Sequence, residues 1–213
     1  SYSEKKALAD EYAMLIDSGT LPFNLEVISK EYVGPYIGQQ ALQVSIIAGI
    51  IGFVLVCVIM IVAYRLPGLT ASISLLAYVA IVLLIMSTTG ISLTLPGIAG
   101  LILSIGMAVD ANVIIFERLK EEFAQKNSSM KAFERSFKNA MAAIIDGNIT
   151  TFIVAILLYI FGIGTVRGFG VTLAVGVVVS LFTAIVVTRF ILKQLMPIAK
   201  NNTFLFGLRK EDK

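Results

Sequence analysis

The sequence has no histidine, a single cysteine and few charges. Without an imidazole there is no histidine general base, no Ser-His-Asp constellation and no histidine metal site. Cys57 lies inside an apolar run; it cannot form an intramolecular disulfide and carries no information on redox compartment. Only 15% of the 213 residues are charged, against about 25% in an ordinary soluble domain. No GxxxxGK[ST] pattern occurs, which excludes the P-loop route to ATP. The basic segments are short and adjoin apolar runs, a pattern of membrane topology and not of nucleic-acid binding. These absences leave no catalytic residue to nominate and no cofactor to hold.

What the chain has is apolar surface: 57% of its residues are hydrophobic and its mean hydropathy is +0.89. A helix that crosses a bilayer core about 30 Å thick needs about 20 mostly apolar residues. Five runs meet that length, at about 41–64, 69–89, 93–116, 140–161 and 169–192. Tight turns at 65–68, 90–92 and 162–168 join the first to the second, the second to the third, and the fourth to the fifth. The expected fold is an all-α membrane protein, a bundle of five transmembrane helices with a short extracytoplasmic α+β remnant at its N-terminus. In that remnant, residues 1–40, helical periodicity ends at Gly19, a short strand is expected over 21–31, and a turn-rich connector over 32–40. The chain opens at Ser1 with no initiator Met and no signal-peptide pattern, so it is expected to be a piece of a longer protein. Residues 193–213 read as a tail.

The long internal segment is 117–139. Ser128 or Ser129 is a candidate N-cap, and Met130, Phe133, Phe137 and Met141 follow at spacings of three and four. That pattern predicts an amphipathic helix along the membrane surface, docking onto the bundle rather than sensing lipid. Thirteen of the 17 basic residues fall in this segment, in the tail from Arg189, or at Arg65. Cytoplasmic loops carry the excess of Lys and Arg. The segment and the C-terminus are therefore expected in the cytoplasm, and residues 1–40 outside.

One acid stands inside an apolar run, Asp110 in LSIGMAVDANVIIF. A carboxylate at membrane depth costs about 2.5–3.5 kcal/mol and marks an ion or proton path by default. The alternative is an Asp that serves only as an interhelical hydrogen-bonder. Thr150 or Thr151 could reach it from a neighbouring helix, and Asn112 is a further candidate in the same relay. Asp146 and Asn148 open the fourth run as candidate support; an Asp at a helix start is equally explained by the helix dipole. Arg189, at the boundary of the fifth run, reads as snorkelling. Glycines 97, 100 and 106, and those around the fifth run, read as helix-packing positions.

Four segments carry a resemblance. TLPGIAGLILSIGMAVDANVIIFERLKEE (94–122) is similar to the fourth membrane helix of the SecD family. DGNITTFIVAILLYIFGIGTVRGFGVTLAVGVVVSLFTAIVVTRF (146–190) resembles its fifth and sixth helices, and YRLPGLTASISLLAY (64–78) its turn between the second and third. SGTLPFNLEVISKEYVGPYIGQQAL (18–42) resembles the end of its first extracytoplasmic domain. The resemblance covers nearly the whole chain. It implies helices two to six of a six-helix bundle in the resistance-nodulation-division superfamily, in a bacterial cytoplasmic membrane. It implies pseudo-symmetric pairing with SecF, work alongside the SecYEG channel, SecA and a YajC-type accessory subunit, and an unfolded preprotein as substrate. It implies use of the proton motive force, with a proton or sodium as coupling ion, and it puts the family's relay acid on Asp110. An exporter of small molecules or lipids of the same superfamily is the other function expected for such a bundle, and a non-transporting scaffold a third, against which Asp110 speaks.

Overall fold

The computed structural model describes residues 6, 8–10, 12–14, 35–91, 93–125, 128–199 and 206. The chain divides into two compact units, 1–33 and 34–213. Of the first, the described residues are helical and fall in the stretch whose periodicity predicts a helix. The strand expected over 21–31 and nearly all of the tail after Ala199 lie outside the described residues.

The second unit is built from helices α1 (Pro35–Tyr64), α2 (Leu66–Thr89), α3 (Leu95–Ala124), α4 (Ser129–Phe161) and α5 (Thr165–Phe182); a π turn (Thr183–Thr188) leads into α6 (Arg189–Ala199). Five helical stretches are long and apolar enough to cross a membrane, the fifth running unbroken through the π turn from Thr165 to Pro197. The fold is the expected all-α bundle, with no strand among the described residues.

Prolines set where helices start. Pro35 opens α1, Pro67 lies in the first turn of α2, and Thr94 caps α3 by accepting the amide of Gly97 at 3.1 Å. Proline suits a first turn because its missing N–H has no helical partner there. This is why the connector expected over 32–40 is helix from residue 35 onward.

Residues 117–139 differ from expectation more. The segment is not a loop bearing a separate surface helix. Helix α3 continues to Ala124 and α4 begins at Ser129, with Ser128 in the N-cap position but making no capping bond through its side chain. At 1.5 Å per residue, α3 and α4 are about 45 and 50 Å long, well beyond a core about 30 Å thick. The amphipathic pattern is thus the base of a long helical hairpin. Phe133 and Phe137 are buried in it at 1% and 3% exposure, while Met130 is exposed. Glu122 on α3 accepts a hydrogen bond from the Asn139 amide at 3.2 Å and faces Arg135 at 3.8 Å, tying the two arms together. Arg189 is exposed, its guanidinium 5.7 Å from the Phe137 ring. The same continuity corrects the helix-start reading of Asp146. It stands about five turns into α4, where the dipole of the N-terminus no longer acts.

Helices α3 and α5 approach closely through small residues. A Cβ on Gly100 would meet Thr172 Oγ1 at 2.6 Å. Gly106 and Gly164 are exceptions among the expected packing glycines: each is exposed, with no neighbouring side chain or helix within 4 Å of where a Cβ would stand. Helix α1 lies against α2 and α3 at the edge, with 6% of its span buried against 50% for the fifth crossing. Buried Phe116, Leu119, Phe133 and Phe137 form the main core near the α3–α4 connection, joined by Leu192 and Met196 of α6.

Candidate functional site

Helix α3 carries two polar residues two positions apart, Asp110 and Asn112. Two residues are about 200° of helix rotation, so they face nearly opposite ways and do not form one relay by direct contact. Each belongs to a different site.

Asp110 opens onto a cleft of about 100 Å³ between α3 and α4, lined by Met107, Ile114, Ile144, Gly147, Asn148 and Thr151 among others. Gly147 presents no side chain to the cleft, and a Cβ there would meet nothing within 4 Å. Asp110 is exposed, and among the described residues it makes no hydrogen bond or ion pair. Thr151 lines the cleft, but its hydroxyl donates back to the Gly147 carbonyl at 3.2 Å. Thr150 is exposed outside the cleft and donates to the Asp146 carbonyl at 3.0 Å. The Asn148 amide donates to the Ile144 carbonyl at 2.8 Å. Asp146 is exposed and does not line the cleft. The fold therefore brings Asp110 together with Asn148 and Thr151, and not with Thr150, Asp146 or Asn112. A carboxyl so placed can accept a donor from a partner that covers the cleft without first breaking an internal bond.

Asn112 is 2% exposed and points into the bundle. Its Oδ1 lies 2.7 Å from the Thr188 hydroxyl, and its amide donates to the Ala108 carbonyl at 3.2 Å. The Thr188 hydroxyl is also 2.8 Å from Ser74 Oγ, which in turn lies 3.3 Å from the Thr183 carbonyl. A second buried contact joins the Tyr78 and Ser104 hydroxyls at 2.6 Å. Sequence reasoning passed over Ser74, Tyr78, Ser104, Thr183 and Thr188. The available signal was a hydroxyl inside an apolar run, which needs a partner wherever it is buried.

Residues 17–197 match the family described as "Protein export membrane protein SecD/SecF, C-terminal". The chain is 46% identical over 202 residues to the protein translocase subunit SecD of Dictyoglomus turgidum, covering 94% of this chain and 51% of that protein. It is 47% identical over 201 residues to the SecD of a Synechocystis strain, covering 93% and 43%. Among solved structures it is similar to SecDF from Thermus thermophilus, a translocon-associated membrane protein, with a TM-score of 0.79 and 40% identity over 90% of this chain and 27% of that one. A SecDF in its super-membrane-facing form matches with a TM-score of 0.72 and 41% identity, over 78% of this chain and 23% of that one. The chain spans about half the length, or less, of the relatives it matches.

Proposed function

As the chain belongs to the SecD/SecF family of protein-export membrane proteins, we propose that it is the membrane bundle of a SecD-type translocase subunit, one that uses the proton motive force to assist preprotein movement after the steps driven by SecA. The observation that carries the reading is Asp110, an acid on a membrane-crossing helix, open to a small cleft and without an internal partner among the described residues. Charge in such a place costs about 2.5–3.5 kcal/mol, and nothing among the described residues offsets it. The acid is explained by a proton that it binds and releases, and by a partner that covers it. A charge moved through 100 mV gains about 2.3 kcal/mol, which drives a conformational change if protonation alters which packing is favoured.

In this reading the partner over the cleft is SecF. SecYEG and SecA form the channel and the first motor, and a YajC-type subunit accompanies them. The basic α3–α4 end faces the cytoplasm and the coupling ion is a proton, with sodium as the competing ion. Asn148 and Thr151 shape the cleft around the acid. The test is Asp110→Asn, which keeps shape and hydrogen-bonding capacity but cannot titrate. The variant should insert and bind SecF, lose the export that depends on the proton motive force, and keep the export driven by SecA and ATP. Full force-dependent export by Asp110→Asn vesicles would leave Asp110 a packing residue.

A further inference from the structure

The fifth crossing passes through a π turn at Thr183–Thr188. Such turns are rare and strained, and they persist where side chains insert into the helical ladder or hold it from outside. Here both ends of the turn are engaged. At its start the Thr183 carbonyl faces Ser74 Oγ of α2 at 3.3 Å; at its end the Thr188 hydroxyl sits between Ser74 Oγ, at 2.8 Å, and Asn112 Oδ1 of α3, at 2.7 Å. All four residues are at most 2% exposed.

The hydroxyl protons do not suffice for every contact at once. If Thr188 donates to Asn112, Ser74 donates either to Thr188 or to the Thr183 carbonyl, and the chain runs on from Thr188 through Asn112 to the Ala108 carbonyl. If Thr188 donates to Ser74, Ser74 donates to the Thr183 carbonyl and Asn112 Oδ1 loses its donor. The first arrangement ties the turn to α3 as well as to α2, and the second ties it to α2 alone. Buried chains of this kind strengthen cooperatively and are costly when half satisfied. Asn112 lies two residues beyond Asp110 on one rigid helix, so any rotation that keeps or breaks the Thr188 contact turns the Asp110 face by the same angle. If the π turn relaxed to α, α6 would rotate by about 100°, carrying Leu192 and Met196 out of the core that buries them.

We propose that Ser74, Asn112 and Thr188 form a positioning triad that holds the π turn of the fifth crossing and sets the rotation of α3 that presents Asp110 to its cleft. The inference rests on the reading of Asp110 as the relay acid, and its test separates the two. Thr188→Val keeps the shape and removes the hydroxyl; Thr188→Ser keeps the hydroxyl and removes a methyl. Backbone hydrogen exchange over 183–189 and force-dependent export are measured on the full-length protein in proteoliposomes with its translocase, with Asp110→Asn alongside. Thr188→Val should exchange about tenfold faster over the turn, the equivalent of one buried hydrogen bond, and lose most force-dependent export while export driven by ATP persists. Thr188→Ser should match wild type in both. Ser74→Ala, the smallest change in volume, should move both readouts the same way if Thr188→Val fails to insert.

Wild-type exchange in Thr188→Val would overturn the triad. So would a functional Thr188→Val beside a defective Thr188→Ser, the order expected of a packing role. Faster exchange with undiminished force-dependent export, where Asp110→Asn has lost it, would overturn the link to Asp110. If Asp110→Asn itself retains that export, the relay reading fails alone, and the exchange measurement still decides whether the triad holds the turn.

Discussion

A Cβ added to Gly176 of α5 would stand 2.5 Å from the Cβ of Ser104 on α3, and 3.0 Å from the hydroxyl of Tyr78. No pair of real side chains tolerates that approach, so the two helices meet at backbone distance. In a membrane, where lipid is as apolar as leucine, close van der Waals contact of this kind and interhelical hydrogen bonds are what hold helices together.

Gly176→Ala must therefore push α3 and α5 apart, and it disturbs the Tyr78–Ser104 hydrogen bond at the same point. Overpacking of this kind costs about 1–3 kcal/mol. A lowered thermal midpoint in detergent or nanodiscs is the expected outcome. Gly106→Ala is the control, since no neighbouring side chain or helix lies within 4 Å of the Cβ it would add; it should leave the midpoint unchanged or slightly raised.

Two of the three tight turns use nearly the same backbone conformation at different residue types. Gly164 adopts φ 59, ψ −126, and Arg65 adopts φ 55, ψ −115, each at the N-cap of a membrane helix. A side chain in such a region carries strain of about 1–3 kcal/mol. Gly164→Ala should lose stability although its added Cβ has open space around it. Equal midpoints for Gly164→Ala and wild type would show that the turn is free to relax.

The orientation can be read from single cysteines in a Cys57→Ser background. Ile163, 67% exposed in the α4–α5 turn, should be labelled from outside intact cells as Ile163→Cys. Ser129→Cys, at the foot of α4, should be labelled only after the membrane is opened. The reverse pattern would invert the topology.

The cleft distinguishes two neighbouring threonines that the sequence treats alike. Thr151 lines it and Thr150 does not. Thr151→Val should lower force-dependent export several-fold, the scale of one lost polar contact of about 1 kcal/mol. Thr150→Val should leave it intact. Equal effects would mean that the cleft is not the site.

The five crossings and the singular status of Asp110 were legible because lipid imposes a one-dimensional rule: length and apolarity identify a span, and an acid within one stands out against its neighbours. The family resemblance rested on the same dense segments. The ends of helices were less legible. Where α3 and α4 leave the apolar runs, Glu122, Asn139 and Arg135 replace lipid with partners of their own, and helix continues through residues read as a loop.

Which of the polar residues share a site was only partly legible: Thr151 and Asn148 were named with Asp110, but so were Thr150, Asp146 and Asn112, which do not line its cleft. Asp110 and Asn112 are neighbours along the chain, yet helix geometry turns one to a cleft against α4 and the other to Thr188 and Ser74, 76 and 38 residues away. The π turn was silent, because TAIVVT is as apolar and as helical in pattern as its surroundings. Its geometry depends on hydroxyl and amide partners from two other helices, and only packing brings those within hydrogen-bonding reach.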